Sequence, residues 1–443
     1  MTIAVFGCLF LSSMEISIVS TVAPKIVASL GGMDLFSWIF TAYLLASSLF
    51  MPAWGRIADH YGHKKIMLTA LVIFLLGSVL CGLSQTMLQL VGARLIQGAG
   101  AGALVPISFT ILSDLYSYQQ RAKLQGLASS VWGISSIIGP LLGGVITENS
   151  HWRLVFLINL LPGLPTLWLF ARWRPELKTH TPLRISPKSL LSAAMGITSL
   201  LLSFALMQKN SFGTALWSLI ASCLSFVLFW HYEKTEKHPF IHKEIFNHRI
   251  VLAACLTGFL CSGMIIGLAS FSPLLFQGVG HYSMTLSGLL ISPLSLAWVA
   301  GSFFSINMTQ HFPYKKLIMT GTLVSLTGLV LFMNAFHHLN TLTIVVMFVL
   351  VGLGMAFNYP IVLVTTQHGV PKHLVAFTTS AMIWTRNIGA TVATAVMGMV
   401  LHFNLKKVGL EGALFFAFMV PVAATGLALF AMRLFPEKIQ LRD

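Results

Sequence analysis

The chain has 443 residues, 56 % of them hydrophobic and only 9 % charged, with a mean hydropathy of +0.83. Soluble domains carry about 25 % charged residues, so this composition excludes a soluble globular protein and indicates an all-α polytopic membrane protein. The formal net charge of +15 does not imply a nucleic-acid partner, because the basic residues sit in short segments between apolar runs, the pattern that sets membrane orientation.

Apolar runs long enough to cross ~30 Å of hydrocarbon fall near 2–22, 36–54, 66–84, 88–112, 123–146, 152–171, 189–207, 215–232, 250–276, 284–306, 316–335, 341–362, 376–402 and 411–433, fourteen in all. The first run has no Lys or Arg before Lys25 and carries Glu15, so it is expected to remain as a span and not to be cleaved as a signal peptide. If the segment after span 2 is cytoplasmic, 20 of the 27 Lys and Arg lie on that side. Lys25, Arg153, Lys209, Lys406 and Lys407 lie on the other, and Arg94 and Arg386 lie within spans. That bias places both termini in the cytoplasm.

The longest hydrophilic segment, around 172–188, holds Pro175, Pro182 and Pro187 and reads as a cytoplasmic linker. The expected organisation is a six-helix bundle at 1–171, the linker at 172–188, an inserted helix pair at 189–232 and a cytoplasmic loop at 233–249. A second six-helix bundle at 250–433 and a tail at 434–443 complete it. No phosphate-binding loop G-x-x-x-x-G-K-[ST] occurs, and neither G-x-S-x-G nor H-E-x-x-H is present to suggest an enzyme. The five cysteines are scattered through apolar runs without metal-ligand spacing and read as small hydrophobes.

Taken in order, span 1 is notable for Glu15, roughly 18–20 Å deep at ~1.5 Å per residue. A lone carboxyl at that depth is a candidate for proton exchange near neutrality, the alternative being a structural partner for an arginine. The segment Gly55–Leu68, GRIADHYGHKKIML, offers Gly55 and Gly62 for a tight reversal and Asp59 among Arg56, Lys64 and Lys65 for a surface charge network. Span 4 places Arg94 inside an apolar helix, a placement costing about 3 kcal/mol unless the guanidinium meets a partner or a water-filled cavity. Gly98 to Pro106 is echoed at Gly352 to Pro360, with both glycines and the proline in register 254 residues later, which suggests two related halves. Arg386 lies inside span 13, leaving one interior acid against two arginines. That balance gives weight to neutral or anionic amphipathic substrates.

These residues carry a resemblance. Gly55, Ala58, Asp59, Gly62 and Lys64 resemble the G-x-L-A-D-r-x-G-r-k signature of the major facilitator superfamily, with His60 and His63 standing where Arg is usual, so that the network would be weaker or pH-sensitive. MEISIVSTVAP from Met14 to Pro24, Arg94 with Gln97 and Gly98, and Gly126, Ser135, Gly139, Pro140 and Gly143 in span 5 are similar to motifs of its fourteen-span drug:proton antiporter branch. Ser135 replaces a glycine of the span 5 antiporter motif. Trp152, Arg153, Phe156, Asn159 and Pro162 also resemble the start of span 6 in that branch.

The resemblance implies the major facilitator fold, two six-helix bundles plus an inserted pair, alternating access, and multidrug-type efflux coupled to protons. On this reading Glu15 and Arg94 couple the proton, Gly55, Asp59, Gly62, His63 and Lys64 latch one conformation, and the span 5 motif favours exchange. Trp38, Tyr43, Gln97, Trp132, Phe271, Trp298, Asn358, Trp384 and Arg386 are candidates for a substrate cavity. No cofactor or metal is expected, the proton gradient being the energy source. The expected partners are a small-molecule substrate, protons and lipids of the bacterial inner membrane; a monomer is compatible, and a periplasmic adaptor is left open. The alternatives are an exporter of a specific anionic metabolite such as a siderophore-like carboxylate, an uncoupled facilitator, and a non-transporting sensor.

Overall fold

The computed structural model describes residues 1–116, 118–173, 187–208, 211–235, 248–309, 311–338, 340–371 and 374–436, without the side chains at 59, 113, 118–126, 129, 187, 208, 306, 338, 376 and 377. The described residues form helices and turns and no strand. The helices are α1 (Thr2–Leu30), α2 (Trp38–Tyr61), α3 (His63–Leu83), α4 (Met87–Leu115), α5 (Tyr118–Asn149), α6 (Leu154–Leu157), α7 (Leu160–Arg172), α8 (Pro187–Gln208) and α9 (Phe212–Thr235). They continue as α10 (Arg249–Gly278), α11 (Met284–Leu289), α12 (Ser292–Met308), α13 (Tyr314–Asn334), α14 (Thr341–His368) and α15 (Val375–Ala431). Thirteen helical stretches among the described residues are long and apolar enough to cross a membrane. The chain divides into two compact units, Met1–Phe240 with Tyr282–Gly288, and Ile241–His281 with Leu289–Asp443.

In the first unit α4 is clamped between α2 and α3 by its glycines. A methyl group at Gly98 would overlap the backbone of Tyr43 in α2, and one at Gly100 would overlap Ala70 and Phe74 in α3. Trp54 Nε1 adds a hydrogen bond of 2.7 Å to the Ala99 carbonyl. The second unit repeats this scheme on its own: Gly352 of α14 lies against the backbone of Leu294 in α12, and Gly354 against Gly321 and Ser325 in α13. The sequence echo therefore has a physical content, the same pair of glycines allowing one helix to touch two others at backbone distance. Gly98→Ala and Gly352→Ala are each expected to cost about 1–3 kcal/mol through overpacking, read as a lowered Tm in detergent. Gly92→Ala, where nothing lies within 4 Å, should leave Tm unchanged or slightly raised. Equal melting of all three variants would remove the clamp argument.

Three features differ from the sequence expectation, each for a local reason. The segment Gly55–Leu68 is not a loop: α2 continues as helix to Tyr61 and α3 begins at His63, so the reversal is confined to Gly62 (φ 90°, ψ 141°). That left-handed region favours glycine, and Gly55 lies inside α2, away from the turn. Span 6 is broken in two at Ile158 and Asn159. Pro162 has no N–H to give the Ile158 carbonyl, which accepts instead from Leu161 N at 3.0 Å in a tighter turn. The third difference is one of count: the break between spans 13 and 14 falls at Gly409 (φ 72°), inside the expected gap 403–410, but helix abuts it on both sides across the 57 residues of α15, which accounts for thirteen stretches where fourteen were expected.

Within the second unit, α10 runs beside α15 with matching direction, Phe259 against Gly389, Gly263 against Ala393 and Gly267 against Met397. Thr425, beyond the break, contacts Met264 Sδ at 3.6 Å, so the chain after Gly409 returns to the level it passed at Ala393.

Candidate functional site: a sealed charge cluster and a stacked arginine

Glu15 of α1 and Arg94 of α4 meet inside the first unit, with 0 % and 1 % of their surfaces exposed. Arg94 Nη1 donates to Glu15 Oε1 and, at 2.7 Å, to Gln97 Oε1 one helical turn along α4. Its Nε donates to the Ile39 carbonyl at 2.9 Å, and its guanidinium lies 4.3 Å from the centre of the Tyr43 ring. The arginine is thus held by a carboxylate, an amide, a carbonyl and an aromatic face, which together replace the hydration it gave up.

The second carboxylate oxygen is held from the broken span 6. Asn159 Nδ2 donates to Glu15 Oε2 at 2.5 Å and to Ser78 Oγ at 2.8 Å. Ser78 Oγ also accepts from Gln97 Nε2 at 3.2 Å and donates to the Phe156 carbonyl at 2.7 Å, closing a ring of five polar side chains. Asn159 Oδ1 is buried with no hydrogen-bond partner. The sequence reading marked Glu15, Arg94 and Gln97 but gave no role to Ser78 or Asn159. The available signal is the span 6 motif, which contains Asn159 together with Pro162; Ser78 carries none.

The other residues singled out in this unit are arranged as follows. At the α2–α3 turn, His63 Nδ1 lies 3.1 Å from Asp114 Oδ2, near the end of α4. Lys64 Nζ donates to the carbonyls of Ala171, at 2.8 Å, and Trp173, placing a cation at the C-terminal end of α7, where the helix dipole favours it. The Asp59 side chain and the surroundings of Gly126 lie outside the described residues. Gly139 and Gly143 pack on α1, against Ser17, Ile18 and Val22, and Ser17 Oγ donates to the Ser135 carbonyl at 3.1 Å. Their close approach is thus to the helix that carries Glu15. A methyl at Gly288 would overlap Pro140 and touch Thr21 within the same unit. Trp38 and Trp132 are half-buried.

In the second unit the guanidinium of Arg386 lies 4.3 Å from the centre of the Tyr359 ring, and Trp298 meets that ring edge-on with centroids 6.1 Å apart. All three side chains are partly exposed. Asn358 is buried and turned to Thr322 Oγ1, 2.8 Å away, and to Cys261 Sγ. Phe271 has no exposed surface and Trp384 very little.

Among solved structures, the fold is similar to a D-xylose–proton symporter over 98 % of this chain and 97 % of that one, with a TM-score of 0.72 at 16 % identity. It is equally similar, with a TM-score of 0.72 at 14 % identity, to an auto-inhibited POT family peptide transporter, covering 100 % and 98 % of the two chains. The architecture is that of a multi-pass integral membrane protein. The chain belongs to the Major Facilitator Superfamily, whose family profile matches residues 5–394. Relatives include Multidrug resistance protein 3 of Bacillus subtilis (strain 168), 31 % identical over 395 residues, which make up 88 % of this chain and 77 % of that protein. Multidrug efflux pump SdrM of Staphylococcus aureus (strain N315) is 30 % identical over 410 residues, 89 % and 88 % of the two chains.

Proposed function

We propose that this chain is a proton-coupled antiporter that exports small amphipathic compounds by alternating access, with Glu15 as the proton carrier. The observation that carries the reading is the sealed Glu15–Arg94 pair, an ionisable group committed to partners inside apolar helices. The names of the multidrug relatives support the efflux direction. Fourteen passes, with both termini in the cytoplasm of a cell bounded by this membrane, fit the return of the chain at Gly409 and the distribution of basic residues. The turn at Gly62, with His63 and Lys64, serves as the latch of one conformation, and the packing of Gly139 and Gly143 on α1 ties the antiporter motif to the proton carrier.

In the ionised state both oxygens of Glu15 accept hydrogen bonds, one from Arg94 and one from Asn159. Protonation turns Oε2 into a donor, which Asn159 Nδ2 cannot meet. A half-turn of the Asn159 amide brings the partnerless Oδ1 into its place, and Ser78 Oγ then turns its proton from the Phe156 carbonyl to that oxygen, so the two side chains together serve both protonation states. Asn159→Ala is expected to slow proton-coupled flux by about tenfold or more, the equivalent of losing a hydrogen bond to a charged group, with insertion and yield retained. Unchanged coupled flux in that variant would remove Asn159 from the mechanism.

The function itself is tested with purified protein in liposomes carrying an internal pH dye and challenged with cationic, neutral and anionic amphipaths. The expected result is substrate movement in one direction with counter-movement of protons, abolished by collapsing the pH gradient. Substrate flux indifferent to the gradient would leave an uncoupled facilitator, and no flux of any compound would leave a non-transporting protein.

A further inference from the structure

Arg386 lies roughly 12 Å along the helix from Thr378, at ~1.5 Å per residue, well inside the apolar run. Between Glu244 and Glu411 the sequence contains no Asp or Glu at all. Glu411 follows the break at Gly409, after roughly 35 Å of helix at ~1.5 Å per residue, and is itself paired with His337 Nδ1 at 2.6 Å. Glu15, in the other unit, is committed to Arg94 and Asn159. Among the described residues the Arg386 guanidinium has a ring under its face and no hydrogen bond or ion pair at its edge.

A permanent charge in an apolar span is costly unless something compensates it, and stacking on one ring recovers only part of that cost, about 1–2 kcal/mol. Stacking also leaves the in-plane N–H donors free, and their fork matches a carboxylate or sulfonate. Trp298, edge-on to Tyr359, extends the aromatic surface from the ring on which Arg386 stacks. We propose that Arg386, Tyr359 and Trp298 form a binding site for aromatic or otherwise apolar organic anions, the oxyanion taking the guanidinium edge and the apolar body lying on the rings. The inference rests on the export reading only where it calls such an anion a substrate; binding stands apart from flux.

Two probes that differ by one group decide it: 8-anilino-1-naphthalenesulfonate and its desulfonated analogue N-phenyl-1-naphthylamine. Equilibrium binding is measured on the full chain in phosphatidylcholine nanodiscs, with the signal of empty discs subtracted. The sulfonate should bind the native chain more tightly than the neutral amine. Arg386→Gln should weaken the sulfonate about thirtyfold, the equivalent of losing a charge-assisted hydrogen bond, and leave the amine unchanged, which also reports that the variant is folded. Arg386→Lys, keeping charge without the fork, should fall between the two.

Equal sulfonate affinity in Arg386→Gln would overturn the proposal, and so would parallel loss of both probes. If the Gln variant cannot be purified, the native preference for sulfonate over amine, and its weakening in Tyr359→Leu, carry the same decision. Phosphatidylglycerol added to the discs should not displace the sulfonate; displacement would mark a lipid-headgroup site and overturn the assignment. Arg386-dependent binding without transport would defeat the export reading and leave the site, whereas coupled transport of other compounds with no sulfonate binding would do the reverse.

Discussion

Arg94→Ala is expected to abolish proton-coupled transport and to destabilise the first unit by about 3–5 kcal/mol, the usual cost of leaving one member of a buried pair alone. The loss has several parts: Glu15 Oε1 and Gln97 Oε1 lose their donor, the Ile39 carbonyl loses its side-chain donor, and the Tyr43 face is left against an empty volume. Arg94→Lys should retain part of the stability and little of the transport, since an ammonium cannot reach Glu15, Gln97 and the Ile39 carbonyl with one rigid fork. The double variant Glu15→Gln with Arg94→Ala separates stability from coupling. Removing both charges should restore much of the Tm lost in Arg94→Ala alone while leaving coupled transport absent. Full proton-driven transport in Arg94→Ala would show the cluster to be scaffolding only.

Glu15→Gln is expected to abolish accumulation against a gradient and substrate-induced proton release, while downhill substrate exchange survives. The new amide keeps one acceptor oxygen for Arg94. Its NH₂ would then face Asn159, where the half-turn of the Asn159 amide supplies the partnerless Oδ1 as acceptor. The variant therefore copies the protonated state, but the half-turn moves Asn159 Nδ2 into the partnerless position and takes its hydrogen bond from Ser78, so its Tm should fall modestly below that of the native chain. Glu15→Asp keeps the acid but shortens its reach, so coupling should persist at a reduced rate. The measurement is proton flux beside substrate flux in liposomes over a range of pH. Undiminished proton-driven uptake in Glu15→Gln would pass the carrier role to another group.

The charges in the spans were legible because an acid or an arginine among apolar residues stands out whatever the fold. Glu15, Arg94 and Arg386 were all marked from the sequence, and so was the glycine echo. A pairing of Glu15 with an arginine was legible only as an alternative to proton exchange, and Asn159 only as a motif residue: 79 positions separate Glu15 from Arg94 and 144 separate it from Asn159, and no periodicity encodes such meetings. Ser78 is one polar residue among many small ones in membrane helices, and only its place between Gln97 and Asn159 gives it weight. The reversal at Gly62 was placed within the right stretch but drawn too wide, because Arg56, Asp59 and His60 read as loop residues by polarity. A helix leaving the apolar layer keeps its backbone hydrogen bonds, so α2 simply continues. Spans 13 and 14 were separated by the charges of Lys406 and Lys407, and the backbone breaks at Gly409, within the same gap.

Because Glu15 and Arg94 cancel one another, the cluster is electrically neutral when Glu15 is ionised, and on the proposed carrier role it gains one positive charge when a proton binds. Moving the unloaded pair through the membrane does no net work against the membrane potential, whereas the loaded pair carries one positive charge and exchanges up to about 2.3 kcal/mol per 100 mV with the field. In such an antiporter the voltage therefore acts on the proton-carrying step, and on the substrate-carrying step only through the charge of the substrate itself. A cell could drive such a carrier with its membrane potential even where internal and external pH are equal.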